Sequence, residues 1–195
     1  MFTALSHLVS SIRSIPAIAC LTLGLFAAAE EAAAVSQPSQ SDVEAAYLFD
    51  FGKFVHWPAG ADQGPMSICI AGSSSLSAGV EKMVANENIG GRALDVRRVL
   101  RVEDETNCAI LFIDATQRDH EEELLQAVAD KPTLTVSELP DFLARGGMIQ
   151  FQLVEKRVRF SVNLDSVNRV HLTMSSELLK VAMTVKGRTP EGTAQ

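Results

Sequence analysis

Three histidines follow the first forty residues, His56, His120 and His171, and each is a candidate base or metal ligand. None stands in H-E-x-x-H or in a paired Cys/His spacing, so a zinc site has no support. His120 opens an acidic stretch and reads as a solvated surface residue; His56, beside Trp57, reads as the end of a helix. Gly72-Ser73-Ser74-Ser75 lies where an apolar run hands over to a helical one, a place where α/β proteins hold anions on helix N-termini. It lacks the P-loop and G-x-G-x-x-G spacings, and no G-x-S-x-G elbow presents a serine nucleophile. A plain strand-to-helix turn is the better reading, with Gly72, Ser73, Ser74 and Asp114 kept as weak ligand-binding candidates. Asp114 follows the apolar run ending at Ile113 and otherwise reads as a helix cap. No catalytic residue and no cofactor are implied, and binding is favoured over turnover.

These residues need a scaffold, and hydrophobic periodicity supplies one. Ser41-Asp42-Val43-Glu44 fits a capping box, predicting a helix from there to about Val55 that stops before Pro58. Its apolar residues, among them Tyr47, Phe49, Phe51 and Phe54, cover more than one stripe, so the helix is deeply buried or shares a face with a partner. Ser67 to Ala71, Leu94 to Val99, Cys108 to Ile113 and Thr133 to Val136 read as short strands. Helices are expected between them, from about Leu76 to Asn88, closed by Gly90-Gly91, and from about Asp119 to Asp130. Strands alternating with helices argue for a mainly parallel sheet flanked by helices. After Gly146-Gly147, Ile149, Phe151 and Leu153 alternate with polar neighbours, as do Val158, Phe160 and Val162: an antiparallel hairpin. A final helix is expected from Ser175-Ser176 to Lys186-Gly187. The fold class is single-domain α/β.

Residues 1–34 carry one basic residue, Arg13, then an apolar run from Ile15 to Ala29 and small residues at Ala32 to Ala34. That is the grammar of a cleaved secretory signal peptide, and the run is shorter than the roughly 20 residues that span a bilayer. Residues 35–40 read as a mobile leader, 41–187 as the domain and 188–195 as a flexible tail. The 195 residues carry a net charge of -7, which argues against nucleic acid as a partner. In an exported protein the remaining pair, Cys69 and Cys108, suggests a disulfide, with two buried thiols as the alternative.

The stretch Ala45-Ala46-Tyr47-Leu48-Phe49-Asp50-Phe51-Gly52-Lys53-Phe54-Val55-His56-Trp57-Pro58 resembles the opening signature of the YfiR-like periplasmic family. Further blocks agree in order: Ile68-Cys69-Ile70, Cys108 to Ile113, Leu134 to Ser137 leading to Phe142, Gly146 to Ile149 with Phe151, Val158 to Phe160 with Asn163, and Ser175 to Lys180. The resemblance covers roughly Val43 to Val185. It implies a periplasmic regulator that binds the sensor region of an inner-membrane diguanylate cyclase, or a related sensor kinase, and represses its output. It further implies dimerisation and sequestration by an outer-membrane lipoprotein. Cys69 and Cys108 match one bridge of the family, and this chain has no residues for a second. Phe151, Asn163, Arg169, His171 and Met174 are the candidate partner-binding residues, mixing an apolar anchor, polar groups and a cation. His171 would make that contact pH-sensitive, because histidine titrates near neutrality. A small-molecule-sensing module with its pocket near Gly72 and Asp114 is the competing reading.

Overall fold

The computed structural model describes residues 38–61, 63–72, 74–101 and 107–187; the expected signal peptide, Ser73 and the tail 188–195 lie outside them. Helix α1 runs Gln40–Phe54. Its capping box is formed by Ser39 and Asp42, two residues before the predicted one: Asp42 N–H donates to Ser39 Oγ (3.1 Å) and Ser39 N–H to Asp42 Oδ2 (2.9 Å). Ser41 lies inside α1 and so is not its cap, and the Glu44 carboxylate accepts instead from Gln40 Nε2 at 2.8 Å. Val55 is extended and ends the helix, then pairs in a two-residue strand β1 (Val55–His56) with β9 (Thr173–Met174).

The main sheet uses β2 (Met66–Ala71), β3 (Asn88–Ile89), β4 (Arg92–Val99), β5 (Ile110–Ile113), β6 (Leu134–Ser137), β7 (Ile149–Val154), β8 (Arg157–Asn163) and β10 (Thr184–Lys186). Its order is β10-β8-β7-β6-β5-β2-β4-β3. The centre is parallel, from β4 through β2, β5 and β6 to β7; β7 and β8 form the expected antiparallel hairpin, and β3 pairs antiparallel with β4. Helices α2 (Ser74–Val84), α3 (Glu121–Ala127), α4 (Leu164–Arg169) and α5 (Ser176–Val181) cover it. A 3-10 helix, Ala115–His120, leads into α3.

Strand period and sheet position sort the core into two layers. Ile68 and Ile70 of β2, with Ile110 and Phe112 of β5, pack under α1 and α2. Their alternate neighbours Cys69, Ala71, Leu111 and Ile113 join Leu124 and Val128, with Leu139 and Phe142, on the other face. Gly147 makes a close approach there: a Cβ on it would sit 2.2 Å from the Phe142 ring.

Three expected helices are shorter than their apolar patterns suggest; the one expected from Asp119 to Asp130 is α-helical only over Glu121–Ala127. α2 stops at Val84; Asn86 takes a left-handed conformation (φ 66°), and Gly90-Gly91 turns the β3–β4 hairpin instead of closing a helix. α5 stops at Val181, because Ala182 is extended and Met183 N–H donates to Phe160 O at 2.8 Å. The β-branched pair Thr184-Val185 then joins β8 in parallel, as β10.

Candidate functional site

The five residues expected to meet a partner do not form one surface. Phe151 is a core ring, 2% exposed, with centroids 5.7, 5.9 and 6.2 Å from Tyr47, Phe51 and Phe112. It cannot serve as a docking anchor: the hairpin turns this face onto α1, where burial of a phenyl ring contributes about 2–3 kcal/mol. Asn163 is also buried; its Oδ1 accepts from Ser166 N–H (3.3 Å) as the cap of α4, and its Nδ2 donates to Leu143 O (3.0 Å). Arg169 and His171 are exposed at and beyond the end of α4, and half-buried Met174 pairs with Val55. Of the five, only Arg169 and His171 are exposed.

Between the carboxyl ends of β2 and β5 the protein itself fills the space beside Gly72. Asp114 is buried, caps the 3-10 helix by accepting from Thr116 N–H at 2.8 Å, and lies over Gly72. Gly72 (φ +114°) has no room for a side chain, since a Cβ would stand 2.0 Å from Asp114 Oδ1. Ser74 begins α2, and Ser73 lies outside the described residues. The ligand pocket expected at Gly72 and Asp114 is therefore occupied by the Asp114 carboxylate.

Beside it stands a carboxylate pair that sequence reasoning missed. Gln40 Nε2 donates to both Glu44 (2.8 Å) and Glu138 (3.3 Å), and Glu138 also accepts from Ala115 N–H at 3.2 Å. Burial pushes the Glu44 carboxyl up to about 7; the Gln40 bond opposes this, and the charges of Glu138 and Asp114 add to it. The available signal was helical spacing, because Glu44 precedes Leu48 and Phe51 on the buried stripe of α1. No group of three metal-ligating side chains occurs among the described residues.

Cys69 and Cys108 form a disulfide, with Cα atoms 5.7 Å apart, tying β2 to the segment entering β5 inside the smaller core layer. This order of elements and this bridge stand beside a family match: the family described as YfiR/HmsC-like matches residues 41–183.

The chain belongs to the YfiR/HmsC-like family.

The YfiR/HmsC-like family is one of periplasmic regulators of diguanylate cyclases, regulatory rather than catalytic. Among solved structures, the chain is similar to a conserved domain protein from Vibrio cholerae O1 biovar El Tor. The TM-score is 0.55 at 12% identity, over 77% of this chain and 62% of that one, a likeness of fold. The ABC domain in complex with L-Trp from Streptococcus pneumoniae gives a TM-score of 0.45 at 11% identity, over 62% of this chain and 55% of that one. The chain thus spans less than two thirds of either protein. No helix among the described residues is long and apolar enough to cross a membrane.

Apolar side chains are exposed at several places, Leu100 and the Leu153-Val154 end of β7 among them, and one group borders the end of the sheet. α5 and β10 expose Val181, Met183 and Val185 (61, 47 and 38%). Among the described residues β10 is the last strand on its side of the sheet. Exposed apolar side chains beside an open strand edge are the combination that recruits another chain. Phe54, at the end of α1, adds a further exposed ring, and Ser175 N–H donates to its carbonyl at 2.9 Å.

Proposed function

We propose that this protein is a periplasmic regulator that binds the sensor region of an inner-membrane diguanylate cyclase and holds its cytoplasmic output low. The family match over residues 41–183 carries this reading. The segment from α5 to β10 is the docking face, with Val181, Met183 and Val185 as apolar anchors and the free edge of β10 as the hydrogen-bonding rail. It replaces the face built on Phe151. Binding acts as a population shift, because only a difference in affinity for two states of the sensor moves their equilibrium. Taking the cyclase from nearly all active to nearly all inactive needs a difference of about 10⁴-fold. A sensor kinase is the corresponding target if the membrane partner carries a kinase output. Self-association and sequestration by an outer-membrane lipoprotein would compete for the same edge.

The test is capture from detergent-solubilised inner membranes by the oxidised protein, with the captured chain identified by mass spectrometry. A membrane protein with a periplasmic sensor and a cyclase or kinase output is expected, and Val185→Asp should abolish its recovery while leaving the melting curve intact. Recovery unchanged in that variant would remove the docking face, and recovery of no such protein would remove the regulatory reading.

A further inference from the structure

Beyond the carboxyl end of β6 the β7–β8 hairpin continues as a free two-stranded ribbon. β6 reaches β7 only at Ile149 and Gln150, and β10 reaches β8 only at Ser161, Val162 and Asn163. Past those positions, residues 151–154 and 157–160 pair only with each other among the described residues. The root of the ribbon is fixed, because Phe151 and Phe160 pack on Tyr47 and Phe51 of α1. Its end is uncovered: Leu153 and Val154 are 60% and 39% exposed, and Glu155, Lys156, Arg157 and Arg159 are exposed around them. Glu155 and Lys156 make the two-residue turn, both in the left-handed conformation (φ 48° and 62°). Turns of this hand favour Asn-Gly, so the backbone alone does not account for Glu-Lys at the tip.

Charge sets this end apart from the rest of the chain. Lys156, Arg157 and Arg159 outnumber the one carboxylate beside them, that of Glu155, in a protein whose net charge is -7. None of the three cations forms an ion pair among the described residues. They also line a cleft of about 510 Å³ between the ribbon and the start of α1, together with Val43, Tyr47 and Leu153. No carboxylate lines it among the described residues, and nearby Asp42 is turned onto Ser39. Two aliphatic side chains on a projecting tip, ringed by basic ones, match the surface of an anionic bilayer. Aliphatic groups enter the headgroup layer there while cations meet the phosphates. A protein interface takes about 20–30 residues a side, and the free end of the ribbon is far smaller than that.

We propose that the end of the β7–β8 ribbon docks on an anionic phospholipid bilayer, with Leu153 and Val154 entering the headgroup layer and Lys156, Arg157 and Arg159 meeting the phosphates. The contact is weak and reversible, because so few groups fall short of a stable anchor. The proposal does not rest on the regulatory reading, since binding is read on vesicles with no partner present.

The experiment is co-sedimentation of the purified, disulfide-bonded protein with sucrose-loaded vesicles. These consist of phosphatidylcholine alone or mixed equally with phosphatidylglycerol, at low salt and at about 0.5 M, where surface charge is screened. Saturable binding to the mixed vesicles at low salt is expected, with little at high salt and none to phosphatidylcholine alone. Arg157→Gln should weaken it about fivefold, the contribution of one basic side chain near an anionic surface. Arg98→Gln, the same charge change at an exposed position on β4, should bind as the parent does. The double variant Leu153→Ser, Val154→Ser should also bind several-fold more weakly. All three variants should melt with the parent, because the positions are exposed. The proposal is overturned if the mixed vesicles carry down no protein, if phosphatidylcholine alone carries down as much, or if Arg157→Gln binds like the parent. An equal loss in Arg98→Gln, or no loss in the double serine variant, overturns it too, since adsorption would then be a matter of overall charge. Binding to polyglutamate that Arg157→Gln loses, with no binding to vesicles, would assign the ribbon to an acidic protein instead.

Discussion

Glu44 sits at a position where a helix of this pattern would carry a leucine, and its carboxyl is held at about 7 chiefly by burial. The fold therefore favours the protonated form. That contribution to stability is full below the ordinary carboxylate value near 4.5 and is lost as pH rises through about 7. Glu44→Gln keeps the shape and the bond to Gln40 without the charge. It should raise unfolding free energy at pH 8 by about 1–3 kcal/mol and leave it nearly unchanged at pH 4, since each pKa unit corresponds to about 1.4 kcal/mol. Urea denaturation at the two pH values measures this, and equal effects at both would contradict it. The sequence was legible here only in part. Period-2 alternation put Phe151 and Phe160 on one face of the hairpin, and that face is indeed shared: the two rings meet Tyr47 and Phe51 of α1. Alternation does not say which face a helix covers. Phe151 could thus be mistaken for an anchor.

At the scale of elements, strands were easier to read than helix ends. β2, β5 and β6 are short apolar runs that no amphipathic helix would contain, and each lies within two residues of its expected place. Helix ends depended on competing partners. The apolar residues Leu178, Leu179, Ala182 and Met183 satisfy a helical period, yet the open side of β8 offers hydrogen bonds that turn the chain into β10 after Val181. The start of α1 shows the same ambiguity in miniature, since Ser39 and Ser41 are both capping residues by type. The geometry separates them: only Ser39 accepts from an N3 amide. Ser39→Ala should cost about 1 kcal/mol in chemical denaturation, whereas Ser41→Ala, inside the helix, should cost clearly less. A larger loss from Ser41→Ala would restore the cap read from sequence.

Over the whole molecule, the α/β class followed from composition and alternation, but strand order did not, because pairing partners are long-range. The disulfide was legible through cysteine count in an expected oxidising compartment, and the matched family made its pairing specific. Cys69 and Cys108 are 39 residues apart, and constraining a loop of that size stabilises by about 4 kcal/mol in the chain-entropy model. Reduction should lower the urea midpoint accordingly, with the α3 layer loosening before the layer under α1, because the bridge lies in the former. Equal melting of the oxidised and reduced protein would show the bridge to be dispensable. The order of the sheet has its own consequence for how the molecule is assembled. β2 comes first and β4 with β3 closes one side; β5, β6, β7, β8 and β10 are then added on the other side, each beside the strand before it. From β5 onward every new strand of this sheet meets a partner already made, so loop closure there stays local; β4 alone settles between two earlier strands, β2 and its hairpin partner β3. A chain delivered amino end first, from a ribosome or through a secretion pore, can add the β5-to-β10 side of this sheet in the order of its arrival.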